Sequence, residues 1–518
     1  MMVTLLAVLG MLLLHRFACW RYRLPAIRMA DDAPPLPQVA PMALPVAATA
    51  QPGFSGIHLL DDSQQAFAAR VLLARRAQVS LDLQYYIWHN DVAGRLLMNE
   101  VREAADRGVR VRLLLDDNGI AGLDPLLCAL ASHDNIAVRL FNPFVVRKPK
   151  AIGYLLDFRR LNRRMHNKSF IADGCATILG GRNVGNEYVG SSENALFADL
   201  DVFATGAVVA DVAADFERYW RAEAAWPAAQ ILPAADPDGL VRFRHSHADL
   251  VRSPQAQDYV RALTEGAAQQ LLAGDQALIW TRATLLSDDP DKALGRAVAS
   301  EMLGPQLTAL IGKPARELVV VSAYFVLTEA DIADFAGIAA AGVRVGVLTN
   351  SLKSNDVALV HAGYAPTRKP LLRAGVRLWE MKGTDPAARA RLHFRRRKGS
   401  SKRGTIFRSS GSALHAKTFA VDSRRLFVGS FNFDPRSAKL NTEMGLIIES
   451  PVLAARLQTV FDSEMADTAY EVRLRDGRLV WLEQTASGEV VHRHEPGTGP
   501  GQRLVIALLG CLPLRWML

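Results

Sequence analysis

Apolar and polar residues alternate along the chain in a pattern that changes between strand and helix periods. Residues 79–88 form a mostly apolar run typical of a buried strand, and residues 94–106 place apolar side chains three and four positions apart, which predicts a helix. Residues 109–115 predict the next strand. Similar apolar runs return at residues 318–325 and 341–348. This alternation predicts an α/β fold in which two similar halves follow each other.

The segments around these runs indicate where the halves begin and end. Residues 31–53 contain six prolines and many alanines, which is typical of an extended, disordered linker. Short apolar runs after residue 470, separated by glycines, predict strands. We therefore divide the chain into an apolar N-terminal segment with the Pro/Ala-rich linker (1–55), a first half (56–235), a connector (236–303), a second half (304–469) and a C-terminal β-strand and apolar tail (470–518).

Apolar segments lie at both ends of the chain. Residues 3–14 are too short for a usual membrane-spanning helix and suit either a signal-peptide core or a short anchor. The arginines within residues 16–28 favour a cytoplasmic location for the chain that follows. Residues 501–518 are mostly apolar, which is typical either of a terminal helix packed on its domain or of a helix inserted at a membrane interface.

The net charge of the chain indicates which classes of partner it favours. The net charge of +9 in a chain of 518 residues favours an anionic partner, which is either nucleic acid or an anionic membrane surface. Basic residues concentrate at residues 147–150, 159–164 and 391–403, in segments typical of solvated loops or of contacts with membrane phosphates. The four cysteines are scattered, and we predict that they are small apolar residues in a reducing compartment.

One set of candidate catalytic residues occurs twice. In each copy a lysine lies two residues after a histidine, an aspartate seven, a glycine fourteen and an asparagine seventeen. A histidine and a lysine two apart on a strand point to the same face. The apolar runs after each lysine predict a strand, a turn and a second strand. The copies are His166, Lys168, Asp173 and Asn183 in the first half, and His415, Lys417, Asp422 and Asn432 in the second.

This duplicated set supplies the groups that phosphodiester exchange needs. One histidine attacks phosphorus to form a phosphohistidine, and the opposing histidine protonates the leaving alcohol and later deprotonates the incoming one. The lysines, helped by the asparagines, hold the non-bridging oxygens. The motif aspartates, or the later acidic residues Asp199 and Glu443, hold each imidazole in its tautomer. We predict no metal and no cofactor, because the sequence has no HExxH, carboxylate cluster or Cys/His set.

The repeated motif resembles the HKD motif of the phospholipase D superfamily. The similarity runs from about residue 63 to the C-terminus, and three runs resemble the bacterial cardiolipin synthase branch closely: residues 161–168, 361–365 and 429–437. The resemblance implies two phospholipase D-like α/β sandwich halves packed around a shared active-site cleft. It favours His166 as the nucleophile and His415 as the acid and base, a choice that the symmetric motifs alone do not make.

The resemblance also implies cardiolipin synthesis, in which a phosphatidyl group moves from one phospholipid to the glycerol hydroxyl of phosphatidylglycerol. The partners are then a phospholipid membrane, phosphatidylglycerol and a donor lipid that is phosphatidylglycerol or phosphatidylethanolamine. The implied location is the bacterial inner membrane, with peripheral or N-terminal attachment. Whether a helper protein takes part stays open.

Three other functions remain compatible with the residues. A hydrolytic phospholipase D uses the same groups with water as acceptor. A phosphodiesterase on nucleic acid also uses them, but no stretch interleaves basic and aromatic residues as a base-stacking groove requires, so we expect no nucleic-acid partner. A non-enzymatic membrane scaffold tolerates the loss of a motif histidine or lysine, and here all four are present.

Overall fold

The computed structural model describes residues 16–17, 20–25, 33–47, 51–189, 197–355, 357–383, 413–463, 465–512 and 517. The apolar run at 3–14 and the basic cluster at 391–403 lie outside these ranges. The strands, numbered in chain order, are β1 Ser55–Leu60, β2 Ser80–Ile87, β3 Arg110–Gly119, β4 Ile136–Phe141, β5 Ser169–Ala172, β6 Ala176–Gly180, β7 Phe197–Ala198, β8 Asp201–Gly206, β9 Ala225–Pro227, β10 Ile279–Thr281, β11 Ala283–Ser287, β12 Glu317–Ser322, β13 Arg344–Asn350, β14 Arg377–Met381, β15 Ala413–Leu414, β16 Lys417–Val421, β17 Arg425–Gly429, β18 Met444–Ile448, β19 Ala469–Arg475, β20 Arg478–Thr485 and β21 Gly488–His492.

Helices connect these strands and cover the sheets. In chain order they are α1 Ser63–Arg76, α2 Val92–Asp106, α3 Asp124–Ala131, α4 Ala151–Leu161, α5 Asn186–Val189, α6 Val208–Trp220, α7 Ala228–Ile231, α8 Gly239–Val251, α9 Pro254–Glu265, α10 Ala267–Ala273, α11 Leu303–Ile311, α12 Glu329–Ala340, α13 Ala358–Tyr364, α14 Arg368–Arg373, α15 Pro435–Lys439, α16 Pro451–Ser463, α17 Met465–Thr468 and α18 Pro500–Gly510.

The two large sheets repeat one topology. The strand order is β10-β1-β8-β6-β5-β2-β3-β4-β9 in the first sheet and β11-β18-β17-β16-β12-β13-β14-β19-β20-β21 in the second. Eight neighbouring strands therefore correspond one to one, from β1 and β11 to β9 and β19. In each sheet three of these strands, β2 to β4 and β12 to β14, run parallel. The prediction of two similar α/β halves is confirmed.

Burial on both faces explains the apolar runs in the central strands. In β3, Val111, Leu113 and Leu115 pack in a core within the first half, whereas Leu114 packs in a second core between the halves. A strand that is covered on both faces has a continuous run of apolar residues rather than an alternation of apolar and polar residues. Both sheets contribute to the core between the halves, which packs the two sandwiches face to face.

The predicted connector, residues 236–303, is not a separate unit. Helices α8 to α10 supply side chains to the core of the first half, and β10 pairs with β1 at the edge of the first sheet. Strand β11 pairs with β18 and takes the position in the second sheet that β1 takes in the first. The boundary predicted at residue 304 is therefore wrong, since the second half begins with β11.

Part of the predicted disordered linker also packs on the first half. Met42, Leu44 and Val46 are buried in its core, and the Met42 N–H donates to Asp173 at 2.7 Å. Apolar side chains at every second position from 42 to 46 are buried, so this stretch packs on the first half although its proline content predicts disorder. At the other end of the chain, β19 to β21 extend the second sheet beyond β14, in the region where the sequence predicts strands.

Candidate active site

Directly before each motif histidine, a short segment of one half pairs with a short segment of the other half. Met165 forms a parallel bridge with Thr442, and the His166 N–H donates to the Thr442 carbonyl at 2.9 Å. In the same way β15 pairs with β7, and the His415 N–H donates to the Ala198 carbonyl at 2.8 Å. Each histidine therefore lies beside the residue that precedes an acidic residue of the other half.

These pairings place an acidic side chain from the opposite half against each imidazole. Glu443 Oε2 lies 2.8 Å from His166 Nδ1, and Asp199 Oδ2 lies 2.5 Å from His415 Nδ1. Both carboxylates are fully buried, and both histidines are buried. Nδ1 is the nitrogen that contacts a carboxylate in each ring, as in a Ser-His-Asp triad, in which Nε2 is the nitrogen that transfers the proton. Of the two sets of acidic residues that the sequence offers, Asp199 and Glu443 are at the imidazoles.

Each motif lysine lies beside its own histidine. Lys168 Nζ donates to the His166 carbonyl at 2.6 Å, while Lys417 Nζ donates to the His415 carbonyl and lies 2.9 Å from His415 Nδ1. Both lysines are buried. Burial, together with the charges of Lys168 and Lys417, lowers the pKa of His166 well below its usual range. His166 is therefore neutral at neutral pH, as a nucleophile must be.

The two carboxylates differ in their charge. Burial raises the pKa of Glu443 to about 7, although Lys168 opposes this shift. Burial acts in the same direction on Asp199, but His415 and Lys417 outweigh it and hold the pKa of Asp199 below its usual range. At neutral pH Asp199 is ionised, whereas Glu443 is partly protonated. The two histidines thus have unlike partners despite the symmetry of the motifs.

A serine and a glycine at equivalent motif positions also distinguish the two sites. Ser430 Oγ donates to Glu443 Oε2 at 2.5 Å. The equivalent residue, Gly181, lies so close to the Asp199 carboxylate that no Cβ fits there. Asp199 Oδ1 accepts from the Leu200 N–H at 2.8 Å instead. Motif spacing does not single out Ser430, and the only signal in the sequence is that the two copies differ at this position.

The motif asparagines are fixed by the first central strand of each half. Asn183 Oδ1 accepts from the Ile87 N–H at 3.1 Å, and Asn432 Oδ1 accepts from the Tyr324 N–H at 3.3 Å. With the carbonyl oxygen held by the backbone, the NH₂ group of each side chain is the part that is able to donate to a phosphate.

Two tyrosines line the site beside the histidines. The Tyr86 ring packs edge to face against His166 at a centroid distance of 5.0 Å, and Tyr188 packs in the same way against His415 at 5.3 Å. Lys168 Nζ lies 5.4 Å from the centre of the Tyr86 ring. Burial raises the pKa of both hydroxyls, so they stay neutral. Tyr188 follows no motif and was not predicted.

The motif aspartates do not contact the histidines, so their prediction as catalytic residues is corrected. Asp173 accepts from the backbone N–H groups of Met42 and residues 78–80, and Asp422 accepts from those of residues 315–317. Both aspartates have positive φ angles in the turn after the motif strand. Their carboxylates therefore tie that turn to the start of the neighbouring central strand.

We expect Asp173→Asn to lower stability without changing chemistry. The amide NH₂ cannot accept the hydrogen bonds that one carboxylate oxygen now accepts, and buried N–H groups lose their partners at a cost of about 1–3 kcal/mol. Urea unfolding should show this loss, whereas kcat per folded molecule should stay within about threefold of the wild-type value. A folded Asp173→Asn protein with a hundredfold lower kcat would restore a catalytic role.

Much of the basic charge upstream of the first motif is paired inside the protein. Arg147 and Lys150 both contact the buried Asp117, and Arg164 contacts the buried Asp116 at 2.6 Å. Neither alternative for these clusters, a solvated loop or a membrane contact, describes these three residues. Asp116 and Asp117 lie within β3.

The part of the chain that the structure describes contains neither a metal-binding cluster nor a helix able to cross a membrane. There, His, Cys, Asp and Glu side chains form no group of three suited to a metal ion. Every helix described is also too short or too polar to cross a membrane.

Comparisons with known proteins identify the family of the chain. The chain matches the family model described as "Cardiolipin synthase, PLD-like domain" over residues 72–220 and 307–465, which contain both motifs. It is 45% identical over 486 residues to cardiolipin synthase C of Escherichia coli K12, covering 93% of this chain and 100% of that protein. It is 25% identical over 423 residues to cardiolipin synthase A of Pseudomonas fluorescens SBW25, covering 82% and 71% of the two chains.

A solved structure shares the fold. Phosphatidylserine synthase from Haemophilus influenzae Rd KW20 superposes with a TM-score of 0.56 at 15% identity, covering 89% of this chain and 95% of that one. The shared fold therefore extends over both halves.

Proposed function

This chain belongs to the cardiolipin synthase family of phospholipase D-like proteins, and we propose that it transfers a phosphatidyl group to phosphatidylglycerol through a covalent intermediate on His166. The observation that carries the proposal is the crossed pairing of His166 with Glu443 and of His415 with Asp199. This pairing builds one site from both halves, with a carboxylate at Nδ1 of each ring.

The first step forms the intermediate. Nε2 of His166 attacks the phosphorus of the donor lipid, and the bond between phosphorus and the headgroup oxygen breaks. His415 gives its Nε2 proton to the leaving alcohol. Burial and Lys417 lower the pKa of His415, but the ionised Asp199 opposes this shift and so stabilises the imidazolium form that this step requires, whereas the pKa of His166 lies well below its usual range. The electrostatic difference between the sites supports His166 as the nucleophile, in agreement with the family resemblance.

The second step resolves the intermediate. The glycerol hydroxyl of phosphatidylglycerol attacks phosphorus, His415 removes its proton, and the bond between phosphorus and His166 breaks. Cardiolipin and the free headgroup alcohol leave, and both histidines return to their first states. If phosphatidylglycerol is also the donor, the alcohol released is glycerol.

Charge on the phosphoryl oxygens is offset by protein cations and amides. Lys168 and Lys417 supply the positive charge, and the NH₂ groups of Asn183 and Asn432 supply hydrogen bonds. These groups are positioned before the substrate binds, because each is tied to a backbone carbonyl or N–H. Little reorganisation is then needed as charge develops.

We expect kcat/KM to fall as pH rises through about 7. Burial lowers the pKa of Lys168 to about 7, and the lysine holds phosphate oxygens only while it is protonated, which is below that pKa. Lys168→Arg should lower the maximal rate but move the alkaline limb upward by more than one pH unit, since a guanidinium stays charged. An unchanged alkaline limb would assign it to another group.

We expect activity to survive a strong chelator. The charge that divalent ions neutralise in other phosphoryl-transfer enzymes is here offset by Lys168 and Lys417. Product formation with EDTA should equal that in untreated protein, with added magnesium as the control. Loss with EDTA and recovery on adding a divalent ion would contradict the two-lysine arrangement.

The location follows from the substrate. The family and its phospholipid substrates associate the protein with a bacterial membrane, and we propose the inner membrane, with either peripheral attachment or an N-terminal anchor at residues 3–14. The assay that tests the function also identifies the donor lipid, phosphatidylglycerol or phosphatidylethanolamine, and shows whether a helper protein is needed.

The test is to identify the lipid product. Purified full-length protein is incubated with vesicles of labelled phosphatidylglycerol, with or without phosphatidylethanolamine. We expect cardiolipin as the main product, minor phosphatidic acid, and diversion to a phosphatidyl alcohol when a small primary alcohol is added. Phosphatidic acid as the dominant product would make the protein a hydrolytic phospholipase D, and cleavage of DNA without action on lipid would overturn both assignments.

A further inference from the structure

Helix α4 carries apolar side chains on its solvent-exposed face. Ile152, Leu155 and Phe158 are 41%, 75% and 39% exposed, and Arg159 beside them is exposed as well. A surface helix of a globular protein normally turns its apolar stripe inward. The helix is kinked at Asp157, and three large apolar side chains exposed on both sides of this kink within one short segment call for a partner.

Helix α18, near the C-terminus, shows the same inverted arrangement. Leu504, Val505 and Leu508 are 61%, 51% and 62% exposed, and Leu512, just beyond the helix, is 46% exposed. Leu504 and Leu508 are four residues apart within the helix and so lie on one face. Within this helix only Ile506 is buried.

Helix α4 is connected to the catalytic centre by a short chain of contacts. The Tyr154 hydroxyl donates to Asn118 Oδ1 at 3.0 Å, and Asn118 Nδ2 lies 3.4 Å from the Tyr86 hydroxyl. The Tyr86 ring in turn packs against His166. The apolar face of α4 is therefore only a few side chains from the proposed nucleophile.

One arginine brings the C-terminal region to the same place. Arg436, in α15 just after the second motif, donates to both the Asn162 side chain and carbonyl, at 2.9 and 2.8 Å, where α4 ends. It also donates to the Met517 carbonyl at 3.2 Å. The charge of Arg436 acts on His166. Arg436 thus connects the end of α4 with Met517 beside the active site.

The charge around these helices is positive. Lys148, Arg159 and Lys439 are exposed on this side, and Lys439 adjoins Arg163, which donates to its carbonyl at 3.1 Å. The acidic residue of α4, Asp157, is neutralised by Arg160 at 2.6 Å. Residues 496–512 contain no acidic residue. An apolar surface bordered by basic side chains matches the acyl and phosphate layers of an anionic lipid leaflet.

We propose that the exposed apolar faces of α4 and α18, here called the docking face, insert into the interfacial layer of an anionic phospholipid bilayer. The docking face then holds the active site against the headgroups, so that a donor lipid reaches His166 without leaving the leaflet. This inference rests on the proposed function for its choice of ligand, but its first test does not depend on activity.

The first test follows deuterium uptake in the unmodified full-length protein with and without vesicles of phosphatidylglycerol and phosphatidylethanolamine. We expect peptides covering α4 and α18 to take up less deuterium when vesicles are present, and expect a weaker effect with neutral phosphatidylcholine vesicles. The peptide covering α16, which carries the exposed Val452, is the internal control and should not change. Equal uptake at α4 and α18 in both conditions would overturn the proposal and would favour a protein partner for this face.

The second test separates docking from chemistry. The double variant Leu155→Glu/Leu508→Glu should lower the rate on bilayer vesicles at least tenfold, yet keep the wild-type rate on monomeric short-chain phosphatidylglycerol. Val452→Glu places the same charge at a side chain that is 66% exposed on α16, and it should keep both rates. Equal losses on both substrates, or no loss on vesicles, would overturn the docking role. A wild-type protein that is protected by vesicles but makes no cardiolipin from either substrate would refute the proposed function and leave docking supported.

Discussion

His166→Ala and His415→Ala are each expected to lower kcat for phosphatidyl transfer by about 10⁴-fold or more, with the fold intact. The first substitution removes the atom that forms the covalent bond, and the second removes the proton donor of that step and the base of the next. Residues that act as one unit show strongly non-additive losses. The double variant should therefore be no slower than the slower single variant.

A third histidine supplies the matched control. His133 pairs with Asp106 near the surface of the first half and takes no part in the site. His133→Ala should keep the wild-type rate, which shows that loss of a histidine is not harmful in itself. A near-normal rate for either motif variant would contradict the two-histidine mechanism.

Glu443→Gln and Asp199→Asn are expected to give the next largest losses, about 10²–10⁴-fold in kcat. Each change keeps the shape of the side chain but removes its negative charge and introduces an NH₂ donor, which favours the wrong tautomer of the imidazole. Because the carboxylates lie in opposite halves, each substitution should disable the histidine of the other half. Steady-state kinetics on phosphatidylglycerol vesicles measures the loss, and circular dichroism checks the fold.

The motif aspartates provide the control for these isosteric changes. Asp422→Asn makes the same chemical change inside the second motif, at a side chain that accepts only backbone hydrogen bonds. We expect its kcat per folded molecule to stay near the wild-type value. If Asp422→Asn lost as much as Asp199→Asn, the crossed carboxylates would have no special role.

The sequence predicts the halves well because their signals are local. Apolar runs covered on both faces identify the central strands, and the repeat at residues 318–325 and 341–348 indicates the duplication. The spacing of two residues places each lysine beside its histidine, although His166, Lys168 and His415 precede the strands β5 and β16 instead of lying on the predicted strand face. These features depend on a few neighbouring residues and on a known periodicity.

The choice of acidic partner for each histidine depends on how the halves pack. Asp173 and Asp422 are nearer in sequence to the histidines, but each turns back to cap a neighbouring strand. Glu443 reaches His166 only because Met165 pairs with Thr442 across the interface. A contact between the halves leaves no periodic pattern in the sequence. The sequence therefore indicates both sets of acidic residues as candidates and does not choose between them.

Composition predicts structure least well for segments whose side chains are buried in the folded protein. The proline-rich stretch before residue 53 suggests disorder, yet Met42, Leu44 and Val46 alternate and fill part of the core. Arg147 and Lys150 suggest a membrane contact, yet both neutralise the buried Asp117. In each case a partner distant in sequence determines where the side chain lies.

The most direct test of a shared site with a covalent intermediate is to trap that intermediate. His415→Ala keeps the nucleophile but lacks both the proton donor of the first step and the base of the second, so over a long incubation the phosphatidyl group should form slowly on the enzyme and then remain there. The variant is incubated with phosphatidylglycerol carrying labelled phosphate, quenched in base to preserve the phosphorus–nitrogen bond, digested and analysed by mass spectrometry. We predict a phosphatidyl adduct on the peptide that contains His166, and none in the His166→Ala/His415→Ala protein. An adduct on any other residue, or cardiolipin formation without any adduct in the wild-type enzyme, would contradict the mechanism.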